Sequence, residues 1–360
     1  MPNLARPLLA LLLLAAVAAA PAEPVPARAG ESALRLPDAA AAPRGASELR
    51  LLVWYPAAAD AVEKEVGAGP AFVAGHVAAG AAWRDGARRH PLVLLSHGFG
   101  GAARQMTWLG EALARAGYVA VAADHPGTNG IDGVNAAGAY APWERAQDLR
   151  RVLDGVLADP VLGPRIDPAR VGVAGFSIGG WTAALSLGAR ADFDRFRAFC
   201  ASPARDAICN PQQEFDLNYA RQHEELKRAN AERLLAGEKA DHRDARLKAG
   251  VLIAPALAQA LDPASAAAMR VPVLLIAGDS DHVVPTPTNA AWLQPRIEGA
   301  QLQILPGVGH YDFLSACTPA GRGMVPGLCE EAGPPRQLTH QRSIDAVLAF
   351  LARTPVKPAP

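Results

Sequence analysis

The sequence predicts an α/β fold: a doubly wound, mostly parallel sheet with a helical insertion after the helix that starts at Ser177. Three observations point there. Short apolar runs alternate with segments of helical spacing through most of the chain, which is the pattern of strands joined by crossover helices. One of those runs passes straight into a helical segment through Gly175-Phe176-Ser177-Ile178-Gly179. Two further runs end in loops that carry, in order, an aspartate and a histidine. At 360 residues, half of them hydrophobic, the chain can bury a full core, and its length suits one large domain with insertions as well as two small ones; we expect one domain over residues 47–354.

Arg6 precedes an apolar run at 7–20, and Ala20-Pro21-Ala22 offers the small residues of a cleavage site, so residues 1–22 read as a signal peptide and Glu23 as the mature start. Retention as an anchor is the alternative, but the run is short and Ala-rich for a span, so no stable membrane anchor is expected. No cysteine sits near the cleavage site, which argues against lipoprotein processing. Residues 23–46 are rich in Ala and Pro and read as a flexible lead-in. Strands follow at 49–55, 91–96, 118–123, 171–176, 250–254, 271–277 and 301–305, with helices at 106–116, 143–159, 181–187 and 338–352. Residues 212–248 are charged and helix-forming, and interrupt the alternation. They read either as a solvated excursion or as a cap over Ser177 that shapes access.

Gly-x-Ser-x-Gly between a strand and a helix is a nucleophile elbow, because the serine sits on a strained turn that leaves no room for bulky neighbours. A dinucleotide loop is the competing reading of a Gly-rich strand-to-helix turn, yet no Gly-x-Gly-x-x-Gly follows this strand and the run lacks the lysine of a phosphate loop. The strand at 91–96 ends in His97-Gly98-Phe99-Gly100-Gly101, a loop whose backbone can approach a developing negative charge. We assign the oxyanion donors to the amides of Phe99 and Ile178, and give His97 a structural role in the loop rather than that of a base. After the strand at 271–277 comes Gly278-Asp279-Ser280-Asp281-His282, with Asp281 the expected acid and Asp279 the fallback. After the strand at 301–305, His310 stands in a Gly-rich loop, free to turn toward the serine, and is the expected base.

These segments together resemble the α/β-hydrolase family, and within it the secreted bacterial group related to dienelactone hydrolases and platelet-activating-factor acetylhydrolases. The resemblance runs from about Leu49 to Leu351 and includes Ser96-His97-Gly98-Phe99-Gly100-Gly101, Ala123-Asp124-His125-Pro126-Gly127-Thr128-Asn129 and Gly309-His310-Tyr311-Asp312-Phe313-Leu314. It implies the α/β-hydrolase fold, Ser177 as nucleophile, Asp281 as orienting acid, His310 as base and Phe99 with Ile178 as oxyanion donors. Dienelactone hydrolases use a cysteine nucleophile where this chain has serine, so the lactone substrate does not carry over. The activity implied is hydrolysis of small or lipid-like carboxylic esters through an acyl-enzyme, without a cofactor. Polyester (cutin- or plastic-like) hydrolysis, amidase or peptidase action, and a catalytically silent binding module are the alternatives.

Cys200 and Cys209 lie close in sequence, as do Cys317 and Cys329, and no Cys-x-x-Cys or Cys/His cluster suggests a metal. In the oxidising periplasm or outside the cell, short loops close at the least entropic cost, which favours those two local disulfides. With 35 basic and 35 acidic residues the formal net charge is zero, which argues against nucleic acid as a partner. A monomer acting on a small-molecule or polymeric ester is expected.

Overall fold

In the computed structural model, which describes residues 27–210, 217–331 and 333–358, eleven strands join in one sheet. They are β1 (Arg28–Pro37), β2 (Glu48–Ala57), β3 (Lys64–Ala68), β4 (Phe72–Ala79), β5 (His90–Ser96), β6 (Val119–Ala123) and, after a two-stranded ribbon of β7 (Thr128–Asn129) and β8 (Gly133–Val134), β9 (Ile166–Phe176), β10 (Leu247–Ile253), β11 (Val273–Gly278), β12 (Gln301–Leu305) and β13 (Ala316–Cys317). The order is β12-β11-β10-β9-β5-β6-β2-β1-β4-β13, with β3 paired to β4. From β12 to β6 every pairing is parallel. The signal peptide expected at 1–22 lies outside the described residues.

Side chains alternate across this sheet and divide the core in two. Leu92 and Leu94 of β5 join one apolar cluster while Val93 and Leu95 join the other, and Val119 with Val121 and Ala120 with Ala122 divide the same way on β6. Both faces are covered, so these strands are apolar throughout, as parallel strands must be. The first five helices are α1 (Thr107–Arg115), α2 (Ala136–Tyr140), α3 (Glu144–Ala158), α4 (Ile178–Leu187) and α5 (Phe193–Cys200). Leu149 and Val152 of α3 and Trp181 of α4 pack on one face; Leu109 and Leu113 of α1 pack on the other, with Val347 and Phe350 of the C-terminal helix Arg336–Leu351. Each fully buried Leu or Val contributes about 1.5–3 kcal/mol of transfer free energy.

Two expectations need correction. Residues from Arg28 onward, expected in a flexible lead-in, form β1, which pairs antiparallel with β2 along its whole length, from Arg28 opposite Ala57 to Pro37 opposite Glu48. The reason is tertiary: β2 would otherwise present a row of unpaired backbone groups. Leu34 and Leu36 pack against the core, and Glu31 accepts a hydrogen bond from Trp54 Nε1 at 2.9 Å and pairs with Arg104. The described part of the insertion at 212–248 contains one short α-helix, α6 (Gln222–Arg228), with the rest mostly turns and the 3-10 segments Tyr219–Arg221 and Glu232–Gly237. The structured excursion begins earlier, at α5, whose N-cap Asp192 accepts from the Arg195 amide at 3.3 Å.

Candidate active site

Strand β9 ends at Phe176 and α4 begins at Ile178, so Ser177 alone makes the turn. Its φ of 57° and ψ of −123° are strained for a residue with a Cβ, at a cost of about 1–3 kcal/mol. Packing and a hydrogen bond from the Ser177 amide to the Ile253 carbonyl, 2.8 Å long, hold it there. The flanking glycines are required by close backbone approach. A Cβ on Gly175 would stand 2.1 Å from the Gly179 carbonyl oxygen, and one on Gly179 would stand 2.0 Å from the Ser96 carbonyl oxygen.

Ser177 Oγ lies 3.0 Å from His310 Nε2, and His310 Nδ1 lies 2.7 Å from Asp281 Oδ2. A carboxylate can only accept, so Nδ1 carries the ring proton and Nε2 is left to accept from the serine hydroxyl. The other carboxylate oxygen of Asp281 accepts from the amides of Val283 and Val284 at 3.0 and 2.7 Å, which anchors the acid in its loop. Asp312 does the same for the histidine loop, accepting from the Gly309 amide at 2.7 Å. Asp279, the fallback acid, instead accepts from the Gly307 amide at 2.7 Å and so ties the loop after β11 to the loop after β12. Phe176 packs beside the His310 ring, with centroids 5.0 Å apart.

Ser177 and His310 open on a cavity of about 430 Å³ that Phe99 and Ile178 also line. Ile178 is the first residue of α4, where a helix leaves its amides without intrahelical partners. Gly98 lies against the serine, a Cβ there falling 3.5 Å from Ser177 Cβ. His97 stands away from the cavity: its Nδ1 donates to the Gly98 carbonyl at 2.6 Å and its Nε2 accepts from the His125 amide at 3.1 Å. Burial, aided by the nearby Arg145 charge, holds its pKa well below the ordinary histidine value.

The far wall is made by Phe196, Ile208, Leu217, Tyr219 and the disulfide Cys200–Cys209. Within the described part of the cap expected at 212–248, only residues 217–220 line the cavity, and Trp181 of α4 is fully buried against Phe193. Cys317 pairs with Cys329, and Arg336 clamps that region with hydrogen bonds to the Ser315 and Leu328 carbonyls at 2.8 and 2.7 Å. Sequence reasoning missed Arg336, Asp312 and the buried polar groups behind the His97 loop, since nothing in a linear pattern separates a buried arginine from a solvated one. Among the described residues no cluster of three or more His, Cys, Asp or Glu side chains is placed to hold a metal ion, and no helix is long and apolar enough to cross a membrane.

A serine on a strand-to-helix elbow, hydrogen-bonded to a histidine that is itself bonded to an aspartate, at the carboxyl edge of a largely parallel sheet, is the arrangement of an α/β-type hydrolase. The sequence model of the Alpha/beta hydrolase family matches residues 92–319, and the chain belongs to that family. Among solved structures it is similar to a ferulic acid esterase from Streptomyces cinnamoneus, with a TM-score of 0.56 and 23% identity over 93% of this chain and 92% of the other. Comparison with curated proteins gave no match.

Proposed function

We propose that this protein is a serine carboxylic-ester hydrolase, exported to the periplasm or beyond, that acts through an acyl-enzyme on small or lipid-like esters. The contact that carries the reading is the 3.0 Å approach of Ser177 Oγ to His310 Nε2, backed by Asp281 at 2.7 Å, at the mouth of an apolar cavity. His310 takes the serine proton as Oγ attacks the ester carbonyl carbon, and Asp281 stabilises the imidazolium that results. The carbonyl oxygen, now an oxyanion, is held by the amides of Phe99 and Ile178. His310 returns its proton to the departing alkoxide, leaving an acyl group on Ser177. Water, activated by the same histidine, then releases the acid and restores the serine hydroxyl.

Aromatic and aliphatic side chains dominate the cavity walls, which suits an apolar acyl or alcohol group. Likeness to a ferulic acid esterase supports an ester as the bond cleaved, and the two disulfides suit an oxidising compartment. The test is labelling with a fluorophosphonate probe together with turnover of p-nitrophenyl esters from acetate to palmitate. Wild type should label at Ser177 and hydrolyse part of the series, while Ser177→Ala and His310→Ala should each lose several orders of magnitude in turnover and remain folded. A folded wild-type protein that neither labels nor hydrolyses would be a binding module instead.

A further inference from the structure

The molecule contains a second serine–histidine–aspartate set. Ser96 Oγ lies 2.9 Å from His125 Nε2, and His125 Nδ1 lies 3.0 Å from Asp148 Oδ2. All three residues are fully buried, and none borders the cavity. Arg145, buried too, donates to Ser96 Oγ at 3.2 Å, to Thr128 Oγ1 at 3.0 Å and to the His97 carbonyl. Arg44 closes the assembly with a bidentate pair to Asp148 at 2.7 and 2.8 Å. Hydrogen-bond polarity is consistent throughout: the guanidinium donates to the hydroxyl, the hydroxyl to Nε2, and Nδ1–H to the carboxylate.

We propose that this buried assembly is the positioning element of the oxyanion loop, with Arg145, Ser96 and His125 acting through the backbone of His97–Gly101 to fix where the Phe99 amide points; this rests on the esterase reading above. Its contacts converge on that loop. Arg145 holds the His97 carbonyl, the His125 amide holds the His97 ring, and the strand that carries Thr128 takes the Gly100 amide at 3.0 Å while Gly130 donates to Gly101 at 2.7 Å. The loop is thus gripped from both sides, two residues before and one residue after Phe99. Stability alone is a poor reason to keep such groups, since well-packed apolar residues often replace a buried ionic cluster without loss. Burial, with the Arg145 charge beside it, brings His125 down to about 4, so the ring is neutral and held in one tautomer. Burial pushes Asp148 up, but the charge and hydrogen bonds of Arg44 and the His125 contact outweigh it and keep it ionised. A guanidinium seated on Ser96 and the absence of an opening to the cavity separate this set from the one at Ser177.

Ser96→Ala removes the central hydroxyl and leaves the cavity untouched. Expected is a fall in kcat of about 10- to 100-fold on p-nitrophenyl butyrate per fluorophosphonate-titrated site, with KM within about threefold, because a displaced oxyanion donor is felt in the transition state more than in binding. Hydrogen exchange in the peptide spanning residues 97–105 should quicken while that of β9 does not. If Ser96→Ala does not fold, Thr128→Val removes one Arg145 contact at the rim of the assembly, and Thr128→Ser should restore both kcat and slow exchange. Unchanged kcat and unchanged exchange in a folded Ser96→Ala, or in Thr128→Val, would overturn the proposal. Exchange does not depend on the reaction: a loop loosened by Ser96→Ala in a protein whose hydrolysis survives Ser177→Ala refutes the esterase assignment and leaves the positioning of the loop standing.

Discussion

Gly179→Ala gives the sharpest test of how the elbow is built. A Cβ at that position would lie 2.0 Å from the Ser96 carbonyl oxygen, 2.6 Å from its carbon and 2.8 Å from the His97 carbonyl oxygen. All three are backbone atoms, so no side chain can swing aside. The start of α4 and the end of β5 must separate by roughly 1 Å, an overpacking strain worth about 1–3 kcal/mol. That strain sits between the two expected oxyanion donors, Ile178 immediately before the glycine and Phe99 just beyond His97. A misplacement of about 1 Å costs about 100-fold in rate, so kcat/KM on p-nitrophenyl butyrate should fall by about that factor. Thermal melting should drop by about 1.5–5 °C, at roughly 1.5 °C per kcal/mol for a domain of more than 300 residues. Gly180→Ala is the control, since its Cβ would meet Pro255 Cα at 3.1 Å and needs a shift of only a few tenths of an ångström. Gly179→Ala with kcat/KM within about threefold of wild type, or Gly180→Ala equally damaged, would refute the reasoning.

Asp281→Asn should lower ester turnover by about 10,000-fold, because the amide supports the wrong histidine tautomer, while Asp279→Asn stays within about tenfold; steady-state kinetics of the two variants decide between them. Cys200→Ser with Cys209→Ser should cost about 3 kcal/mol in urea unfolding and alter the preference between long- and short-chain esters, since the bridge closes a nine-residue separation in the cavity wall. Phe196→Ala should raise turnover of long-chain relative to acetyl esters on the same panel by enlarging the far wall. Burial lowers His125 and His340 to about 4 in the fold, against an ordinary value of about 6.5 in the unfolded chain. Both are neutral in both states above about pH 6.5; below it the unfolded chain binds protons that the fold refuses, so these two rings make stability fall from about pH 6.5 toward 4 with a slope approaching 3 kcal/mol per pH unit, to which His97, also held down by burial, adds in the same direction. Urea midpoints that stay constant between pH 7 and pH 5 would contradict that assignment.

By itself the sequence determined the parallel half of the sheet and the residues on its carboxyl ends. Strands such as β5 and β6 are apolar on both faces, and Ser177, Asp281 and His310 follow strand ends in an order that local chemistry makes recognisable. Local pairing of the cysteines was legible too, because loop-closure entropy depends on separation along the chain. Residues 28–37 were not legible: Ala and Pro hide a two-residue alternation that matters only once β2 offers an edge to pair with. The sequence ranks Asp281 ahead of Asp279 without giving either a partner, and the convergence of the loops after β11 and β12 gives Asp281 to His310 and Asp279 to Gly307. Arg145 reads as one more charged position on an amphipathic helix, yet the fold buries it against Ser96 and the His97 carbonyl. Periodicity and motif order are properties of neighbours in the chain, and so the sequence carries them. Which buried polar group satisfies which is set by segments that meet only when the sheet is assembled, and that the tertiary structure alone decides.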